Sequence, residues 1–152
     1  MVISWPTFPR ASYATSEEFD THGINPAGLP AGITNEQKAG AIVAASTLAD
    51  GYLCGRFTMP LTAWGVDLTQ AVCKIAVCDL MAAQVGFNPD EDQGKFLMGR
   101  RAEAVRWLEQ VSRGAVTPMG ITDSRPSSTP GGAAPSARAF SLPSRGWVRR
   151  RD

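Results

Sequence analysis

Ala49-Asp50-Gly51-Tyr52-Leu53-Cys54-Gly55-Arg56-Phe57-Thr58-Met59-Pro60-Leu61 reads as a helix end that passes through two glycines four apart and stops in a proline loop. Gly51 and Gly55 each disfavour a helix by about 1 kcal/mol relative to alanine. Their presence predicts either close approach of a neighbouring backbone or an early helix end. Upstream, Thr34 and Gln37 have the spacing of a capping box, and Ala39, Ile42, Val43, Leu48 and Leu53 supply apolar positions, so a helix is expected from Asn35 to about Gly55. Thr58-Met59-Pro60-Leu61 is the connection that follows, because proline restrains both itself and the residue before it.

A second helix is expected from Asp67 or Thr69 to Val85. Its apolar residues Leu68, Val72, Ile75, Ala76, Leu80 and Ala83 cover more than one side, with Lys74 and Asp79 as interruptions. A helix apolar on most sides lies at the centre of a bundle or is buried by a partner. Asn88-Pro89-Asp90-Glu91-Asp92 reads as the start of a third helix, with an Asn cap, Pro in the first turn and carboxylates where the helix dipole favours them. Its stripe is Leu97, Arg101, Ala104, Leu108 and Val111, and the run Arg106-Trp107-Leu108-Glu109-Gln110-Val111-Ser112-Arg113-Gly114 closes on glycine. Before these helices, Pro6, Pro9, Gly23 and Pro26 break the chain into an arm, with one short helix after Ser16, whose hydroxyl would cap Glu17-Glu18-Phe19.

The fold class is therefore all-α: a small bundle of three main helices plus a short N-terminal helix, with an extended N-terminal arm and a long extended C-terminal tail. The boundaries fall at 1–33 for the arm, 34–114 for the helical core and 115–152 for the tail. Charge divides unevenly between these parts. Residues 1–114 carry 9 Lys and Arg against 12 Asp and Glu, net −3, whereas 115–152 carry 6 against 2, net +4.

The pattern small-Asp-Gly-Tyr-Leu-x-Gly-Arg-aromatic-x-x-Pro-Leu, followed by a middle helix and then Arg-Trp-Leu-Glu-Gln-x-x-x-Gly, resembles the small all-helical head-tail connector proteins of long-tailed phages and Mu-like prophages. These are also called head-tail adaptors or head completion proteins. The resemblance covers about Thr34 to Gly114. It implies a ring of subunits, usually twelve, that binds beneath the portal after DNA packaging and offers a surface to the next neck or tail component, a stopper or terminator. DNA would pass through the lumen without sequence-specific binding. The resemblance also implies that Phe19, on the short N-terminal helix, anchors that helix to the core, and that the C-terminal segment helps attach the ring to the portal.

Several function classes find no support in the residues. His22 is the only histidine and sits in a loop-like Thr21-His22-Gly23, with no serine or cysteine motif beside it, so no catalytic constellation is assembled. Gly131-Gly132-Ala133-Ala134 lacks the Gly-Lys-Ser/Thr ending of a phosphate loop. Cys54, Cys73 and Cys78 lie in helices among apolar neighbours and read as buried free thiols; Cys73 and Cys78, five apart, do not share a helix face. Asp90, Glu91 and Asp92 are explained by the helix start rather than as metal ligands. No enzyme, cofactor or metal is expected. Arg100, Arg101 and Arg106 raise nucleic-acid binding, but the body is net negative. The N-terminus lacks a signal-peptide pattern and no segment reaches 18 apolar residues, so synthesis in the host cytoplasm with no membrane partner is expected; the virion neck as final location is what the resemblance implies.

The candidate subunit-interface residues are Asp50, Tyr52, Arg56, Phe57 and Trp107. Arg56 either stacks on Tyr52 or pairs with a carboxylate of its own chain, such as Asp50, or of the next subunit. Trp107, one position from the Leu108 stripe, either borders the core or faces a neighbour. In the tail, Pro118, Pro126, Pro130, Pro135 and Pro143 prevent long helices, and Phe140, Leu142 and Trp147 form apolar islands ahead of Arg149, Arg150 and Arg151. Such islands gain more from a groove on another protein than from each other, which makes these residues candidates for docking on the portal or a neighbouring adaptor. A flexible tail of 38 residues averages about 35 Å end to end. Two rivals stand beside the adaptor: a tail terminator or stopper, expected to be richer in strand, and a small helical DNA-binding regulator.

Overall fold

A computed structural model describes residues 12–121. Among them the helices are α1 (Ser16–Glu18), α2 (Asn35–Leu53), α3 (Val66–Ala82) and α4 (Asp92–Arg113), with a π-turn at Phe19–Gly23 and a 3-10 turn at Pro26–Gly28, and no strand. The all-α class and the three main helices follow the sequence expectation.

The predicted capping box starts α2: the Thr34 hydroxyl accepts from the Gln37 amide, and the Gln37 side chain accepts from the Thr34 amide. Its inward face is Lys38, Ile42, Ala45, Ser46, Ala49 and Leu53. The expected stripe is partly displaced, with Ala39 exposed and Val43 and Leu48 half-buried. Small apolar residues surround α2 on every side, so its periodicity marks the buried face poorly. Lys38 is buried because its Nζ lies 2.7 Å from the Asp20 carboxylate and its cation sits 5.9 Å from the centre of the Phe19 ring.

The helix apolar on most sides is central. α3 buries Leu68, Thr69, Ala71, Val72, Cys73, Ile75, Ala76, Val77, Cys78, Leu80 and Met81, and packs on α2, α4 and the π-turn. Its two charged interruptions both reach α4, Lys74 to Glu103 at 3.1 Å and Asp79 to Arg101 at 2.8 Å. Pairs this exposed contribute at most about 1 kcal/mol each, so they align α4 more than they hold it. The α4 stripe is as read: Leu97, Ala104, Leu108 and Val111 are buried, and Arg101 is the member that reaches outward. Gly114, at φ +82°, ends α4 with its own amide on Val111 O and the Ala115 amide on Gln110 O, a Schellman closure.

Four local expectations are corrected. The α4 start lies at Asp92, not at Asn88-Pro89, because the Asn88 side chain accepts from the Asp90 amide at 3.0 Å and holds a turn instead of a cap. The α1 cap is Thr15, paired with Glu18 in a capping box, rather than Ser16. Cys54, at the end of α2, is exposed, while Cys73 and Cys78 are buried. Residues 12–33 are not an extended arm: Tyr13 and Phe19 are fully buried, and Gly23 lies so close to α3 that a Cβ there would meet Val77 at 2.4 Å. Phe19 thus occupies the anchoring place that the resemblance implied. The packed body also runs past 114, with Ile121 buried at 8% exposure. No helix of the described residues is long and apolar enough to cross a membrane.

Candidate interaction surface

The motif at the end of α2 works at one end of the bundle, where the α2–α3 connection meets the close of α4. Asp50 stands in the last turn of α2 and its carboxylate receives the Tyr13 hydroxyl. Three further contacts hold Tyr13. Its amide donates to Ser46 Oγ at 3.1 Å, its carbonyl accepts from Thr69 Oγ1 at 2.9 Å, and its ring meets Trp64 edge-on with centroids 4.9 Å apart. The segment before α1 is thereby tied to both α2 and α3. Burial raises the pKa of Asp50 above its ordinary value, and the bond from Tyr13 pulls in the opposite direction. Burial, the Asp50 bond and the Asp50 charge together push the Tyr13 phenol well above its usual value.

Arg56 holds the other flanking segment. Its guanidinium donates to Val111 O at 2.9 Å, Val116 O at 2.7 Å and Thr117 Oγ1 at 3.0 Å, and lies 5.1 Å from the centre of the Phe57 ring. Val111 O, which also receives the Gly114 amide, belongs to the last turn of α4, where the carbonyls carry the negative end of the helix dipole, so a cation fits there. Asp67 continues the seam, accepting the Leu68 amide on Oδ1 at 2.9 Å and the Met119 amide on Oδ2 at 2.7 Å. The segment after α4, residues 115–121, crosses this end of the bundle as a strap, so close to the start of α3 that a Cβ on Gly65 would lie 2.6 Å from Met119 O, and Gly120 turns away at φ +72°.

The candidate residues therefore separate. Arg56 works within the chain, as one of the two sequence readings had it, but its partners include carbonyls at the close of α4, and the Asp50 carboxylate is engaged by Tyr13 instead. Phe57 is a core residue at 3% exposure, so it offers a neighbouring subunit almost no surface. Tyr52 and Trp107 are half-buried against the core. Trp107 also lines a shallow groove between α3 and α4 with Gln70, Lys74 and Glu103. The docking candidates Phe140, Leu142, Trp147, Arg149, Arg150 and Arg151 lie outside the described residues.

Two of the three arginines weighed for nucleic acid have intrachain roles. Arg100 donates to Gly23 O at 2.6 Å and His22 O at 2.8 Å, fastening the π-turn to α4, and Arg101 is the partner of Asp79. His22 is half-buried and takes part through its backbone carbonyl. Among the described residues no group of three or more His, Cys, Asp or Glu is placed to hold a metal ion. The Cys73 thiol is pushed up to about 12, first by burial, which keeps it protonated and unreactive at neutral pH. Sequence reasoning missed Tyr13, Ser46 and Thr69, and weighed Arg100 only for nucleic acid. Their partners are mostly backbone atoms far away in the chain, and such contacts leave no local pattern.

The sequence is 36% identical over 92 residues to "Gene product J" of Escherichia phage Mu, an alignment covering 60% of this chain and 58% of that protein. The chain thus matches less than two thirds of this relative's length. The family model described as "Bacteriophage Mu, Gp36" matches residues 16–136, well over half of the chain and wider on both sides than the motif region. That span begins with α1 and continues beyond the strap held by Arg56 and Asp67, so the chain belongs to the bacteriophage Mu Gp36 family.

Proposed function

We propose that this protein is a structural component of a phage particle, a head-tail adaptor that forms a ring beneath the portal and joins the DNA-filled head to the neck or tail. Membership of a Mu phage family carries the reading. The all-helical body supports it against a terminator or stopper of higher strand content, since the described residues contain no strand. The intrachain engagement of Arg100 and Arg101 supports it against a DNA-binding regulator.

In this reading each subunit is a rigid trio of helices with both flanking segments secured at one end. The chain beyond Ile121 is the part that reaches another subunit. Phe140, Leu142, Trp147 and Arg149 to Arg151 dock on the portal or on a neighbouring adaptor, and a closed ring multiplies modest contacts by avidity. Deleting residues 136–152 should leave helical content unchanged and abolish joining to portal-containing heads. Electron microscopy of particles lacking the protein should show DNA-filled heads without tails. Normal joining by the truncated chain would overturn the docking role, and tailed, infectious particles without the protein would overturn the adaptor reading.

A further inference from the structure

At the end of the bundle opposite the strap, Pro30, Met81, Val85 and Phe87 line a groove between the close of α3 and the start of α4. Val85 is fully exposed and Phe87 half-buried, so apolar surface faces solvent there. Glu91 stands on the rim, and Asp90 and Asp92 flank it in the chain. All three are exposed, and none belongs to an ion pair among the described residues. The groove, which Gln84, Asn88 and Gln93 also line, thus sets exposed apolar side chains beside three carboxylates that no ion pair among the described residues offsets.

The chain itself contains a segment of complementary order. Gly146-Trp147-Val148 precedes Arg149-Arg150-Arg151, apolar residues followed by three cations. The tail departs from the opposite end, where Ile121 lies beside Pro60 and Leu61. The 17 residues of α3 separate the two ends by about 25 Å. The 25 residues 122–146 would average about 28 Å end to end as a random coil, a length comparable to the bundle.

We propose that Trp147 and Val148 of one copy seat in this groove of a second copy, with Arg149 to Arg151 against Asp90, Glu91 and Asp92. This rests on the ring reading and names the partner of the tail. A donor at one end of a chain and its acceptor at the other is the arrangement of heterologous association, which closes into a ring when the rotation permits.

The test uses the full chain with Cys54→Ser, Val85→Cys and Val148→Cys, leaving Trp147 in place, oxidised mildly as purified protein and within phage particles. Cys73 and Cys78 are buried and stay silent. The expected result is a ladder of multimers on a non-reducing gel, linked through 85 and 148. Replacing Arg149, Arg150 and Arg151 by Glu should remove at least nine-tenths of the ladder, and adding Asp90→Lys, Glu91→Lys and Asp92→Lys should restore it. A link of monomer mass places the segment on its own subunit, and absence of any link in particles that contain the protein leaves the groove without the tail; either overturns the inference while the adaptor reading stands. Absence of the protein from particles overturns both.

Discussion

Replacing Arg56 should release the strap at the end of the bundle while leaving the trio of helices assembled. Hydrogen bonds of the guanidinium reach Val111 O, Val116 O and Thr117 Oγ1, at 2.7 to 3.0 Å. A hydrogen bond involving a charged group contributes about 1.5–3 kcal/mol net, but the three share one side chain, are partly open to water and do not add. A total loss of about 2–4 kcal/mol is therefore expected for Arg56→Ala. Lysine carries the charge but cannot fork between two carbonyls, so Arg56→Lys should lose roughly half as much. The described body has 110 residues, and at this size each kcal/mol lowers the melting temperature by roughly 4 °C, giving a fall of roughly 8–16 °C for the alanine variant. Thermal unfolding followed by circular dichroism measures the global effect, and amide exchange resolves where it arises. Amides at 114–119 should lose protection in Arg56→Lys before those of α3 do. An alanine variant that melts with the wild type and retains protection across the strap would refute the reasoning, because it would show that the chain closes this end without the guanidinium.

Tyr13→Phe removes the donor to Asp50, and its cost should grow with pH. Asp50 is raised in the folded state, so its ionisation weakens the fold as pH rises through that folded value; the Tyr13 bond opposes the rise, and without it the penalty above the carboxylate range increases. Urea unfolding should show about 1 kcal/mol lost at pH 3 and about 2 kcal/mol at pH 7, and a loss independent of pH would contradict the assignment. Gly94→Ala should be severely destabilising, since its Cβ would lie 2.2 Å from Asn88 O and 2.8 Å from Pro89 Cα, atoms of backbone that cannot swing aside; an unchanged melting temperature would show that the α3–α4 turn is not fixed as described. Gly40→Ala and Gly51→Ala go the other way. Nothing lies within 4 Å of either position, so each should stabilise the isolated chain by about 0.5–1 kcal/mol in a denaturant titration.

The helices were legible because their signals are local. The Thr34 and Gln37 capping box, the Leu97-to-Val111 stripe and the Gly114 stop are all set by residues within a few positions of one another, and the structure has each in place. The apolar girth of α3 revealed its central position for the same reason. The α4 start was misread because Asn88-Pro89 suits a turn as well as a cap, and the choice depends on how the loop folds under Gly94. Gly51 offered two readings, and the open space around it favours the early helix end, with α2 closing at Leu53. The contacts of Tyr13 and Arg100 span 33 to 78 residues, and no window of sequence contains both partners.

Asp50 and Arg56 also show why the candidate surface could be found in sequence while its use could not. Six residues apart, Asp50 in the last turn of α2 and Arg56 in the turn just past it, they face different neighbours: Asp50 receives the segment before α1, and Arg56 the segment after α4. Each is committed inside the chain, so a variant at either position disturbs the fold before it disturbs any partner. A defect in particle assembly caused by Arg56→Ala would therefore not by itself place Arg56 at a subunit boundary. Half-exposed Tyr52 and Trp107 are better probes, since part of each side chain remains free to meet a neighbour. If Trp107 borders another subunit, Trp107→Phe should keep most core contacts and change the melting temperature little, yet its groove with Gln70, Lys74 and Glu103 would lose its wall. Reduced incorporation of a normally stable Trp107→Phe chain into particles would locate a subunit contact on the α3–α4 face; full incorporation would leave Trp107 as a border of its own core.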